Sequence, residues 1–291
     1  MIDLIQVLID GVLFGTTYAV IGVGFALIFG AMNKLNIAYA AASIAGAYVG
    51  LFFLELLNIP GPLVFLTAAI SSGVIGYLLY LTCFRFIPVD NHLAPLMATV
   101  GALIFIDEVI VHQTNGSPQS YPSLFASLHG EVGGFFFRGD LIFVGVLSIL
   151  SMIGLLIVLF RTRLGLATRA VSQQPIAAQL CGMSVHQVNG QTFVLAGVLG
   201  GIAGAAIGAS VGILSPLLTM PITVKGLIVT VIGGLGSIPG AFVAGLLVGG
   251  LENVFLFYRG VSERDMYVML LLFAFLALRP GGIFATSAER D

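Results

Sequence analysis

The chain has 291 residues, 58% of them hydrophobic and 8% charged, with a net charge of −2. A soluble domain carries roughly 25% charged residues, so these charges are too few to cover a water-facing surface of this size. Lipid must cover most of it, which predicts an all-α integral membrane protein and gives no support for nucleic-acid binding. The 38 glycines fit that class, because small residues let membrane helices approach closely.

The N-terminal MIDLIQVLID has no cationic leader and no small-residue cleavage site, so it is expected to open the first span. That span covers about Leu4 to Gly30, with Lys34 after it. The second runs from about Asn36 to Leu57 and ends at Asn58-Ile59-Pro60-Gly61-Pro62; Asn36 is placed to cap it. The third, about Leu63 to Leu81, leads to Arg85 and Pro88-Val89-Asp90-Asn91-His92. The fourth is about Ala94 to Val111, followed by a polar loop over 113–140 with the run Phe135-Phe136-Phe137. The fifth, about Leu141 to Phe160, leads into Arg161 to Asn189, and the sixth is about Gln191 to Leu214.

The pattern then changes. Pro221 to Ile232 is only about half of the roughly 20 residues a crossing needs. It stops at Gly233-Gly234-Leu235-Gly236-Ser237-Ile238-Pro239-Gly240, and a second apolar run from Ala241 to Phe257 starts at once. Glycine and proline this dense do not continue a helix. The expectation is a broken pair near Pro221–Phe257, two partial helices meeting at a turn inside the membrane, for about eight membrane segments in all. A last span, about Met266 to Leu278, precedes Arg279-Pro280-Gly281-Gly282. The whole of 1–291 reads as a single transmembrane domain with a cytoplasmic loop at 161–189 and a periplasmic loop at 113–140.

The loop Arg161 to Asn189 sets the orientation. It carries Arg161, Arg163 and Arg169 and no acid, and cationic loops stay inside. With it inside, Lys34, Arg85, Arg279 and Arg290 join it, while Arg138, Arg259 and Arg264 lie outside and Lys225 lies near the outer end of the broken pair. That places the N-terminus outside and the C-terminus inside, provided the broken pair returns to the side it left. Within the loop, Leu164-Gly165-Leu166 is expected to start a short helix. Pro175 suits the first turn of another, of about seven residues, ending at Gly182.

Chemistry-bearing residues are few. There is no G-x-x-x-x-G-K-[ST] phosphate loop, and His92, His112, His129 and His186 have no spaced partners. Neither an enzyme nor a metal site is expected, and any energy must come from another chain or an ion gradient. Charges at membrane depth are functional candidates: Asp10, Asp107, Glu108 and Glu252, the last beside Asn253. Asp10 lies near the outer interface, where solvation is cheap. Adjacent Asp107 and Glu108 cannot share a helix face. Thr16 and Thr17 are further candidates for lining a pathway, though their hydroxyls can bond their own helix. Gly197, Gly201 and Ala205, then Gly200, Gly204 and Gly208, and Gly245 with Gly249 repeat every four residues; the plain reading is close packing within the subunit.

Gly165-x-x-x-Arg169-Ala170-Val171, Pro175-x-x-Ala178-x-x-x-Gly182 and Gln191-Thr192-Phe193 together resemble the inner-membrane permeases of branched-chain amino acid ABC importers (LivH type, including urea and short-amide relatives). Gly15-x-x-Tyr18-Ala19 with Phe29-Gly30, Asn36-x-Ala38, Gly46-Ala47-Tyr48, and Lys225-Gly226 leading to the glycine turn and Glu252 extend the resemblance over essentially the whole chain. The resemblance implies an all-helical permease that pairs with a second, similar permease, two cytoplasmic ATPases and a periplasmic binding protein. The bound ATP would belong to those partners, with no cofactor in this chain. Arg163, Gly165, Arg169, Ala170, Pro175, Ala178 and Gly182 would form the part that docks on an ATPase, and Gly233, Gly234, Gly236, Pro239 and Gly240 the broken turn. The family usually has His, Gly and an acid where this chain has Tyr39, Ala40 and Ala41. From another class, a self-sufficient secondary transporter or channel would use Asp107, Glu108 or Glu252 as its ion site; a structural subunit without a pathway is a third reading.

Overall fold

A computed structural model describes residues 2–57, 60–87, 93–122, 129–132, 135–279 and 281–284. The helices are α1 (Ile2–Met32), α2 (Tyr39–Leu57), α3 (Leu63–Cys83), α4 (Leu93–Thr114), α5 (Gly139–Arg161), α6 (Arg163–Gln173), α7 (Pro175–Leu180), α8 (Val185–Val211), α9 (Thr219–Gly233), α10 (Ile238–Arg259) and α11 (Val261–Leu278). Four short strands interrupt them: β1 (Gln119–Ser120) pairs antiparallel with β4 (Ile213–Leu214), and β2 (His129–Val132) forms a hairpin with β3 (Phe135–Arg138). The expected positions Asn58, Ile59, His92, Pro280 and Arg290 lie outside the described residues.

Among the described residues, eight helices are long and apolar enough to cross a membrane: α1 to α5, α8, α10, and α9 with the 3-10 turn before it. This is an all-α integral membrane protein. Its outer surface carries large apolar side chains such as Phe52, Ile70, Phe105 and Leu150, whereas Thr17, Ser43, Ser72, Thr192 and Thr230 are buried. Water offers no reason for that distribution; lipid does.

The two ends of the bundle are distinct. Gln6 Nε2 donates to the Phe136 carbonyl at 2.7 Å and Arg138 Nη2 to the Ser210 carbonyl at 3.2 Å, so the start of α1, the β2–β3 hairpin and the end of α8 share one end. At the other, arginine-rich end lie α6, α7 and the close of α1. There Asn33 takes φ +52, a left-handed conformation asparagine tolerates.

Two sets of four helices pack alike but run oppositely. α1 lies antiparallel on α10 and touches α9; α8 lies antiparallel on α3 and touches α2. α4 rests on α2 and α3 as α11 rests on α9 and α10. The sequence carries a trace of it: Gly15-x-Thr17-Tyr18 with Gly22 matches Gly190-x-Thr192-Phe193 with Gly197 in spacing. Both threonines bond their own helix, Thr17 Oγ1 to Phe14 O at 2.7 Å and Thr192 Oγ1 to Val188 O at 2.9 Å. Inverted repeats of this kind are common in transporter folds.

The small-residue faces are intramolecular seams. A Cβ added to Gly249 would strike the Cα of Gly15, and one on Gly245 the Cα of Ala19. Gly197 and Gly201 meet the α3 backbone at Ser72 and Ala68, and Gly204 meets Ser43 on α2.

Two expectations are corrected. The turn over Gly234–Ser237 breaks the chain where expected, but not at mid-depth: Gly236 packs on Gly30, near the arginine-rich end of α1. Its arms are not half-spans. The 3-10 turn at Pro216–Leu218 lengthens the first to 18 residues, and α10 runs 22. Glu252 and Asn253 do not end α10, because each finds a partner on another helix, Lys225 Nζ and the Val7 carbonyl. Ser237 caps α10 by accepting from Gly240 N at 3.2 Å, and Pro239 sits in its first turn, where a missing N–H is harmless. The charges Glu263, Arg264 and Asp265 in its first two turns keep α11 out of the eight, but it runs from the hairpin end to the arginine-rich end, where Ile283 N bonds the Ile232 carbonyl at 2.8 Å, so the expected last segment does cross the bundle. Secondly, Asn36 does not cap α2: the helix starts at Tyr39, and among the described residues Asn36 Oδ1 is buried without a partner.

Candidate functional site

Of the membrane-depth charges, Glu252 gathers three further charged side chains around it. Lys225, on α9, places Nζ 2.8 Å from Glu252 Oε1 on α10 and 3.1 Å from Asp265 Oδ1 on α11. Arg264 Nε lies 3.1 Å from the same Glu252 oxygen and 3.5 Å from Asp265 Oδ1. Tyr18, on α1, donates its hydroxyl to Glu252 Oε1 at 3.3 Å and accepts from Lys225 Nζ at 3.3 Å; the ammonium also sits 5.3 Å from its ring centre. Lys225 and Glu252 are 6% and 3% exposed, whereas the Asp265 side chain is 60% exposed. Two cations and two anions cancel, which is what makes burial tolerable. Glu252 Oε2 is buried and unpartnered among the described residues.

The other pathway candidates do not converge there. Thr16 Oγ1 bonds the Leu13 carbonyl at 2.7 Å and Thr17 Oγ1 that of Phe14, so both hydroxyls serve α1 itself. Asn253 Nδ2 reaches the Val7 carbonyl at 3.1 Å, locking α10 to α1. Asp10 accepts from Gln6 Nε2 at 3.0 Å. Asp107 is half-buried on α4 beside Thr219, with Oδ1 unpartnered among the described residues, while Glu108 faces outward. A groove of about 1100 Å³ between α2, α3 and α4 is walled by Leu51, Phe52, Leu79 and Phe105, with Glu55 and Gln113 among its few polar lining residues. Those apolar walls give a polar solute no foothold. Tyr39, the departure from the family pattern, fills the junction of α1, α2 and α8: it packs against Gly24 and Gly200 and edge-on to Phe25 at 4.8 Å.

The arginine-rich loop folds as a two-helix handle. Thr162 caps α6 by accepting from Gly165 N at 3.3 Å, and Gly165 lies so close to Leu159 that no side chain fits. Arg169 folds back, its guanidinium 5.2 Å from the Phe160 ring centre and Nε 3.4 Å from the Gly165 carbonyl. Pro175 opens α7, which is six residues rather than seven. Ala178 is buried with Val171 and Val188, which pins α7 to α8. Gly182 takes φ +82 and closes the helix, with its N–H on Gln179 O at 2.9 Å and Met183 N on Ala178 O at 3.0 Å. We expect Gly182→Ala to cost about 1 kcal/mol through that left-handed backbone; native-state hydrogen exchange over α7 would read it as faster opening.

Of the predicted docking residues, Gly165 and Ala178 thus shape the handle from within, while Arg163, Arg169 and Pro175 are exposed and Ala170 is partly covered. The outward face is instead apolar: Ile176 and Leu180 are 73% and 86% exposed, one turn apart. The signal was an i, i+4 apolar pair on a helix too short to bury it. Lys225, Arg264 and Asp265 were likewise not singled out, since nothing local in the sequence joins them to Glu252. Among the described residues, no group of three or more His, Cys, Asp or Glu side chains could hold a metal ion.

Eight membrane-length helices, an inverted internal repeat and an exposed handle at one end make this a polytopic membrane protein. A family profile described as "branched-chain amino acid transport system / permease component" matches residues 7–278, and the chain belongs to that family. It is 28% identical to the high-affinity branched-chain amino acid transport system permease protein BraD of Pseudomonas aeruginosa, over 96% of this chain and 95% of that one. It is 26% identical to the permease LivH of Escherichia coli, over 96% and 94%. A probable branched-chain amino acid transport permease of Methanocaldococcus jannaschii is also 26% identical, over 96% and 91%.

Proposed function

We propose that the chain is one membrane half of an ATP-driven importer for branched-chain amino acids or a related small polar solute such as urea or an amide. It pairs with a second homologous permease, and the pathway runs between the two. Two ATPase subunits bind the nucleotide and dock on the handle; a periplasmic binding protein delivers solute at the hairpin end. The setting is the bacterial inner membrane, with the N-terminus and the hairpin end periplasmic and the handle and C-terminus cytoplasmic. The placement of Lys34, Arg85, Arg161, Arg163, Arg169 and Arg279 at the handle end supports that orientation.

The observation that carries this reading is the apolar pair Ile176 and Leu180, held outward by a helix whose inner face is already packed. Water gives no reason to display it; a groove in a partner does. Asp107, Glu108 and Glu252 do not form one relay, so an ion-coupled transporter has no geometric support among the described residues. The double variant Ile176→Asp/Leu180→Asp is expected to leave the permease folded and to weaken co-purification with the ATPases at least roughly tenfold. ATP-driven uptake into proteoliposomes should fall in parallel. Undiminished ATPase association would refute the docking assignment, and uptake by the permease without any ATPase would refute the energy source.

A further inference from the structure

We propose that Lys225, Glu252, Arg264 and Asp265 form a binding site for the zwitterionic head of an α-amino acid, entered from the hairpin end. This rests on the amino-acid reading above and deepens it.

Two cations and two carboxylates are matched pairwise within 2.8 to 3.5 Å. An α-amino acid carries the same two charges. Its carboxylate can replace that of Asp265 on Lys225 and Arg264, and its ammonium can take a carboxylate in their place. Glu252 Oε2 is prepared for that role: it is an acceptor with no hydrogen-bond partner among the described residues, on a residue 3% exposed. Exchange of like groups leaves the number of ion pairs unchanged, so bringing the solute in strands no buried charge.

The quartet also divides into a fixed and a movable half. Lys225 and Glu252 are buried between α1, α9 and α10, and Tyr18 bonds both. Arg264 and Asp265 are 30% and 60% exposed and stand in the first turns of α11, just past Gly260 at φ +85. A Cβ on Gly260 would meet nothing within 4 Å, so the hinge has room. Glu252 stands about 10 Å along α10 from Arg259, its hairpin-end terminus, at about 1.5 Å per residue. Outward movement of the α11 start withdraws Asp265 from Lys225 and Arg264 from Glu252 and opens the site toward that end; its return brings Arg264 onto the solute carboxylate. An uncharged amide or urea gains nothing from it.

The test uses the assembled transporter, both permeases with both ATPases, in lipid nanodiscs. Saturation-transfer NMR measures leucine, leucinamide and 4-methylpentanoate against the wild type and against Arg264→Gln/Asp265→Asn, which keeps the net charge. Leucine is expected to bind the wild type roughly tenfold better than either one-charge analogue, and that preference is lost in the variant. In ATP-driven uptake into proteoliposomes supplied with the binding protein, the variant raises KM for leucine about tenfold with kcat little changed. Equal binding of the three compounds by the wild type, or a variant that lowers kcat without touching KM, would make the quartet a purely structural clamp and overturn the proposal. A wild type that moves urea or amides but no amino acid overturns the amino-acid reading itself, and with it this site.

Discussion

Lys225→Met is expected to destabilise the bundle by about 3 kcal/mol or more, because removing one partner of a buried ion pair strands the other. Lys225 and Glu252 are almost wholly buried, and Nζ is the closest cation to the Glu252 carboxylate at 2.8 Å. Arg264 remains at 3.1 Å but is itself 30% exposed and shared with Asp265, so it offsets only part of the loss. Lys225→Met/Glu252→Met should be markedly more stable than either single variant. It removes both charges, keeps the volume, and leaves Arg264 and Asp265 to pair with each other. SDS titration of the purified permease measures all three. If the double variant loses the sum of the two singles, the residues are not coupled and the cluster does not hold the helices as described.

Gly249→Leu carries the second large effect. On α10, Gly245 and Gly249 sit against Ala19 and Gly15 of α1, backbone to backbone. A leucine there cannot be absorbed by a rotamer change, because the atoms it meets are main-chain atoms. Overpacking a well-filled core costs about 1–3 kcal/mol and more where the backbone must separate. We expect Gly249→Leu to exceed that range and to abolish recovery of folded protein, with Gly249→Ala intermediate. Gly154→Leu is the control: it is also a helical glycine, but an added Cβ there meets nothing within 4 Å. Its expression and melting temperature should match the wild type. Equal loss from Gly154→Leu and Gly249→Leu would mean that helix propensity, not the seam, decides.

Membrane class, span order and the handle could be read from the chain because each is a local signal. Apolar length, cationic loops, and Pro175 with Gly182 at either end of a short helix need no knowledge of what lies across the bundle. The glycine repeats also announced close packing, and they face α1, α2 and α3 as seams. What failed was depth. A dense Gly/Pro stretch looks the same whether it breaks a helix mid-membrane or turns a hairpin at the surface. Only the contact of Gly236 with Gly30 distinguishes them. The charge quartet failed for a related reason. Lys225 and Glu252 are 27 positions apart, and Arg264 and Asp265 read as the polar start of a last span. Single-residue arguments weighed Glu252 alone and could not see that two other helices bring it counter-charges.

The glycine seams also govern how force travels. α8 is 27 residues long, about 40 Å at 1.5 Å per residue, with α7 pinned to its first turn through Ala178 and Val188. Its length is keyed into α3 and α2 by Gly197, Gly201 and Gly204, with no side-chain layer to yield between them. It is therefore a stiff lever rather than a flexible rod. A tilt of about 5° imposed at the handle displaces its far end by about 3 Å, given that length. The body keyed to α8 turns with it, and the slack is taken up where helices are seated by larger side chains. α4, the least buried of the eight, has no such seam: its one glycine, Gly101, meets nothing within 4 Å.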